Sequence, residues 1–222
     1  MRWQTGHILV GCGVVLALAV PASSTAGTVT PVPSAHPLLI TRAGLGSGWD
    51  VAAPAPTRVA AISCHVLPAA LKSQRRQAAA SATFGQGSSG PFVQQTAYRW
   101  ATTATASAVW SQVARVSMLT CLAQSLSHGG SGGVTFSVTG RRRLAAPRLS
   151  VRIRGYRVTA TARSGGQDFP AYLDELVINT PGAVTEVSFA SYEQAPPARL
   201  ESRVARLVEH RGAAVTHAPV GR

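Results

Sequence analysis

Acidic side chains are scarce in this chain: 8 Asp and Glu stand against 21 Lys and Arg, and the formal net charge is +13. So few carboxylates leave little material for a general acid–base pair, which needs two of them converging in one cleft. Asp168 sits in the turn sequence SGGQDFP, while Asp174 and Glu175 are neighbours that point to opposite faces of a regular strand. The expected place of these acids is the solvated surface. Lysine is almost missing, with Lys72 alone, so the positive charge is arginine. Such charge favours solubility and anionic partners and says little about fold. Together with abundant alanine, it also matches the base composition of a GC-rich genome.

Clustered metal ligands are lacking too. His7, His36 and His217 fall toward the termini, and His65, His128 and His210 show no i, i+4 pairing. No metal cage and no cofactor are therefore expected. Also absent is an apolar run of the roughly 20 residues that a membrane-spanning helix needs. The longest, Ile8 to Val20, follows the basic Arg2 and precedes the small residues PASSTAG. That order is a secretory signal, residues 1–26, with cleavage before Gly27 and Val20-Pro21-Ala22 as a second cleavage candidate. Cys12, in LVGC, resembles the lipidated cysteine of a lipoprotein signal. In such signals the apolar run precedes the cysteine, whereas here most of it follows, so Cys12 reads as a small apolar residue. The expected location is secreted or extracytoplasmic, in the cell envelope.

Of 3 cysteines, removal of the signal leaves Cys64 and Cys121. Two thiols in an exported chain usually pair, and closing a loop of this size would stabilise the fold by about 4 kcal/mol on the chain-entropy model. A zinc or catalytic role would want closer thiol or histidine spacing.

What is present reads as one domain over residues 38–212, behind a proline-rich tether at 27–37 and ahead of a disordered tail at 213–222. Short helices are expected at Leu38–Leu45 and Cys64–Leu71, and a strand at Ala78–Phe84. Phe92–Trp100 alternates at period two, which signals a strand. The string GQGSSG between these strands fits G-x-G-x-x-G, but a phosphate-binding loop needs a helix N-terminus after its glycines. It reads as a hairpin loop. Thr102 and Thr103 precede one long helix whose apolar steps run from Ala106 to Thr120 and carry Cys121 to its end. Strands follow at Val134–Thr139, Leu149–Ala162 with a bulge at Gly155, Tyr172–Asn179 and Ala183–Tyr192. Thr180-Pro181-Gly182 turns between the last two. After Pro196-Pro197 a final helix buries Leu200, Val204, Leu207 and Val208. The fold class is α+β: an antiparallel sheet packed against a long central helix and a C-terminal helix, with one disulfide.

Two features bear on chemistry. GGSGG, Gly129–Gly133, matches G-x-S-x-G but follows a helix and precedes a strand, the reverse of a nucleophile elbow. Arginines crowd Arg141-Arg142-Arg143, Arg148, Arg152, Arg154 and Arg157, a loop and the strand after it, with Arg152 and Arg154 on one face.

LLITRAGLGSGW, Cys64 ahead of LPAALKSQRRQAAASATF, GPFVQQTAYRW and the Trp110 helix ending at Cys121 resemble the PknH-like extracellular sensor domains of actinobacteria. VSFASYEQAPPARLESRVARLVEHR resembles their closing strand and helix, so the likeness spans roughly Leu38 to Arg211. It implies an α+β domain with a cleft for an unknown small or envelope-derived ligand and no enzyme activity, and Cys64 and Cys121 match its disulfide-forming cysteines. The chain lacks the second cysteine pair of the receptor-kinase members, and it carries no kinase domain.

The expected function is an exported, non-enzymatic ligand-binding or sensor-like module with its site between sheet and helices. Tyr98, Trp100 and Tyr156 are candidates for the wall, and Arg152 and Arg154 for contact with a small-molecule or anionic envelope ligand. Nucleic acid is not expected. Two alternatives stand beside it: an envelope hydrolase using Ser131 or Asp174 with a histidine, and a structural protein held to anionic polymers or lipids by its arginines.

Overall fold

A computed structural model describes residues 31–52, 67–128 and 133–217. The signal segment, Cys12, Cys64 and Ser131 lie outside these residues.

The alternation of apolar and polar residues, broken by glycine turns, produces eight strands among the described residues. They are β1 (Asp50–Ala52), β2 (Arg76–Ala80), β3 (Thr83–Gly85), β4 (Phe92–Trp100), β5 (Thr135–Leu144), β6 (Arg152–Ser164), β7 (Gln167–Thr180) and β8 (Ala183–Tyr192). All pair antiparallel in one sheet of order β1-β3-β4-β8-β7-β6-β5, with β2 also on β4. β7 and β8 share a two-residue turn whose Gly182 takes φ +74°, open to glycine and strained for other residues. GQGSSG joins β3 to β4 as a hairpin loop.

The α-helices among the described residues are α1 (Arg42–Leu45), α2 (Ala69–Lys72), α3 (Thr103–Val113), α4 (Ser117–His128) and α5 (Ala198–His217). Period-two alternation gives the sheet two apolar faces. On one, Tyr98, Trp100, Tyr156, Val158, Leu173 and Val184 pack with Trp110 and Val113 of α3 and Leu122 and Leu126 of α4. On the other, Ile153, Leu176, Ile178, Val187 and Phe189 pack with Val204 and Val208 of α5. Burying each such side chain contributes roughly 1.5–3 kcal/mol.

Several expectations differ from what forms. The strand expected at Ala78–Phe84 is split into β2 and β3. At the break Ser81 N donates to Gln95 O at 2.9 Å and Ser81 Oγ accepts from Gln95 N at 2.9 Å, and the register slips by one residue. The single central helix is two helices. Thr102 does cap the first, its Oγ1 accepting from Thr105 N at 3.2 Å. After Val113 the next buried residue is Met118, a five-residue step that one helix cannot keep on one face. The break at 114–116 resets the phase and leaves Val116 exposed.

The bulge sits in β5 between Val138 and Gly140, not at Gly155. Gly155 is regularly paired, and a Cβ there would stand 2.9 Å from that of Leu144, so glycine serves close approach. Arg141–Arg143 belong to β5 rather than to a loop. Gly212 does not stop α5, which runs on to His217; a Cβ at Gly212 would lie 2.5 Å from Thr180 Cγ2. Here glycine lets helix and sheet touch.

Ordered packing begins within the segment read as a tether. Ala35 and Leu38 are buried, and the wholly buried Gln95 of β4 donates to Leu38 O at 2.9 Å and accepts from Ile40 N. Cys121 falls in α4, half-buried, with Sγ 4.0 Å from Ser125 Oγ. Its pairing with Cys64 involves a residue outside the described ones.

Candidate functional site

All five residues singled out from the sequence reach one face of the sheet, the side covered by α3 and α4. Cross-strand register places them: Tyr98 opposes Val184, Tyr156 opposes Glu175, Arg154 opposes Val177 and Arg152 opposes Asn179. Their environments then separate. Tyr98, Trp100 and Tyr156 are 9%, 2% and 0% exposed and belong to the apolar core, so they are packing residues and not an open wall. Burial pushes the Tyr98 phenol up to about 12, with Glu186 adding to the effect. The Tyr156 phenol is also raised by burial, against the pull of Arg143 and Arg154.

The arginines remain at the surface beside this core. Arg152 lies over the Trp110 ring at 4.7 Å and Arg154 at 5.9 Å from its centroid. The ring is fixed by its Nε1 donating to Val177 O at 3.2 Å. A planar guanidinium stacks well on indole. With the amide of Asn179 turned so that its oxygen faces Arg152, Asn179 accepts from Arg152 Nε at 3.2 Å and Nη2 at 2.8 Å.

Sequence reasoning missed the rest of this surface by reading Arg141–Arg143 as loop. In β5, alternation divides the triplet. Arg141 and Arg143 oppose Val158 and Tyr156 and share the α3/α4 face, while Arg142 opposes Arg157 on the other. Arg141 Nη1 donates to Thr120 Oγ1 of α4 at 3.5 Å. Arg141, Arg143, Arg152 and Arg154 thus form one exposed basic corner, and among the described residues none of them pairs with a carboxylate. The acids are engaged elsewhere: Asp50 with Arg42, Asp168 with Arg163, and Asp174 and Glu201 with Arg157.

Acids expected on the solvated surface are inside, Glu186 at 3% exposure among them. Asp174 and Glu175 are wholly buried and do point to opposite faces, and Glu201 of α5 is 4% exposed. Arg157 Nε donates to Asp174 Oδ1 at 2.6 Å and its Nη2 to Asp174 Oδ2. The same Nη2 reaches Glu201 Oε1 and Pro196 O at 3.3 Å. Burial and then the neighbouring Asp174 push the Glu201 carboxyl up to about 8. Glu175 accepts from Ser188 Oγ at 2.6 Å with Oε2, while its Oε1 has no partner; burial pushes it up to about 8.

Ser131, the serine of the hydrolase alternative, lies outside the described residues. Asp174 faces Arg157 and not a histidine, and His128 Nδ1 stands 2.7 Å from Gln124 O of its own helix. Among the described residues no group of three or more His, Cys, Asp and Glu is arranged to hold a metal. No helix among them is long and apolar enough to cross a membrane.

No family model matches the chain, and no curated protein matches it in sequence. Among solved structures it is similar to the extracellular domain of PknH from Mycobacterium tuberculosis, at a TM-score of 0.44 and 10% identity, over 84% of this chain and all of that one. No family is assigned to the chain on that likeness.

Proposed function

We propose that this chain is an exported, non-enzymatic binding module that holds an anionic envelope ligand against the corner formed by Arg141, Arg143, Arg152 and Arg154. One observation carries the reading: four arginines that have no carboxylate partner among the described residues share one face, two of them on a tryptophan ring that is itself anchored to the backbone. Guanidinium forks match phosphate and carboxylate oxygens two at a time. Holding Arg152 by Asn179 and Trp110 removes part of its ordering cost before a ligand arrives. The Cys64–Cys121 bond belongs to this proposal, since Cys121 lies on α4, one helix covering the core beneath the arginines.

Calorimetric titration of the mature protein with inorganic pyrophosphate and with a neutral disaccharide tests it. Pyrophosphate is expected to bind with an affinity that falls as salt rises, and the disaccharide not to bind. Arg152→Gln with Arg154→Gln should weaken pyrophosphate by at least about tenfold, since a hydrogen bond to a charged group contributes about 1.5–3 kcal/mol. Equal binding by the double variant sinks the assignment.

A further inference from the structure

Helix α5 turns a second arginine surface outward, on the opposite side of the sheet from the first. Arg199, Arg203, Arg206 and His210 are exposed, at steps of four, three and four, so they form one stripe along the helix. At about 1.5 Å per residue the stripe is about 16 Å long. Arg199, Ser202, Arg203, Arg206 and Leu207 line a shallow open groove along it. The acids of the helix are turned away: Glu201 is buried against Arg157, and Glu209 accepts from Ser150 N and Oγ at 2.6 Å. Arg203 is set in place, its Nη2 donating to Gly44 O at 3.3 Å. A Cβ at Gly46 would stand 2.6 Å from that nitrogen, so Gly46, at φ +89°, leaves the guanidinium its room. Arg199 and Arg206 make no ion pair among the described residues.

We infer that this stripe docks the protein peripherally on an anionic lipid surface, with headgroup phosphates seated between Arg199, Arg203 and Arg206. A row of cations extending along a helix matches an array of headgroups better than one small anion. The half-buried Leu207 between the arginines gives the interface a modest apolar contact. Because α5 and the Arg152 corner lie on opposite sides of the sheet, docking leaves that corner facing away from the membrane. The inference uses other residues than the proposed ligand site and stands without it.

The test is co-sedimentation of the mature protein with phosphatidylcholine vesicles, with and without phosphatidylglycerol. Binding is expected only with phosphatidylglycerol, and it should fall as salt rises. Arg199→Gln with Arg206→Gln, two exposed changes, should weaken it roughly 30-fold, while Arg152→Gln with Arg154→Gln should change it less than about threefold. The inference is overturned if the α5 variant binds like the wild type, or if the Arg152 variant loses as much. It is also overturned if soluble polyphosphate binds at the stripe while the vesicles do not.

Discussion

On the α5 face, Asp174 receives both arms of the Arg157 guanidinium, and Glu201 shares the same arginine. On the α3/α4 face its chain neighbour Glu175 has one hydroxyl, Ser188, and an oxygen with no partner. Both carboxyl groups are equally buried. The first solution keeps charge inside by pairing it; the second favours the protonated, neutral acid. Meanwhile Arg141, Arg143, Arg152 and Arg154 of the α3/α4 side are exposed, with no carboxylate partner among the described residues. The lesson is that alternation along β7 assigns each acid its neighbours, and the neighbours decide whether it is a charged clamp or a neutral one.

The comparison breaks most sharply at Arg157. Replacing it with alanine strands Asp174, and removing one partner of a buried ion pair costs about 3–5 kcal/mol. Glu175→Gln keeps the volume and the Ser188 contact of a group that is already neutral, and should stay within about 1 kcal/mol of wild type near pH 6. Urea denaturation of the two variants compares them directly. Similar losses would mean that Glu175 is also a paired charge.

A smaller effect is expected where helix meets sheet. Gly212→Ala places a methyl against Thr180 and should cost about 1–3 kcal/mol by overpacking. Thr180→Ser in the same chain should recover part of it, as read by thermal melting; no recovery would place the fault elsewhere in α5.

The mildest test uses pH. Glu175 and Glu201 have folded-state values near 8 against an ordinary 4.5, so the folded chain holds protons that the unfolded chain releases. Their contribution is fully present below about pH 4.5 and is lost as pH rises through about 8. Melting temperature should therefore decline between pH 5 and pH 8, judged from those two values, and Glu175→Gln should flatten the decline. Parallel curves for variant and wild type would contradict the neutral state of Glu175.

Much of this architecture was legible because it rests on local periodicity. Phe92–Trp100, the β7–β8 turn, the loop GQGSSG, the Thr102 cap and the apolar face of α5 each carry their pattern within a few residues. What escaped depends on partners far along the chain. Arginine has no periodic signature of its own, so Arg141–Arg143 read as loop although Val158 and Tyr156 fix them in a strand. Gly212 reads as a helix stop until Thr180 is found against it, and a burial step from Val113 to Met118 gives the helix break only when the sheet is known. The depth of Asp174, Glu175 and Glu201 was invisible for the same reason: their shelter comes from β6, β8 and α5. Around the candidate site, the shared face of Arg152 and Arg154 was legible, the strand that puts Arg141 and Arg143 on that face was not, and the burial of Tyr98, Trp100 and Tyr156 comes from α3 and α4.

The most direct test of the binding assignment is native mass spectrometry of the mature protein isolated from its own cell envelope, beside its Arg152→Gln, Arg154→Gln variant. The account predicts that the wild type carries a phosphate- or carboxylate-bearing compound that the variant lacks, with both proteins folded by circular dichroism. A neutral bound compound, or an anionic one retained equally by the variant, would contradict it.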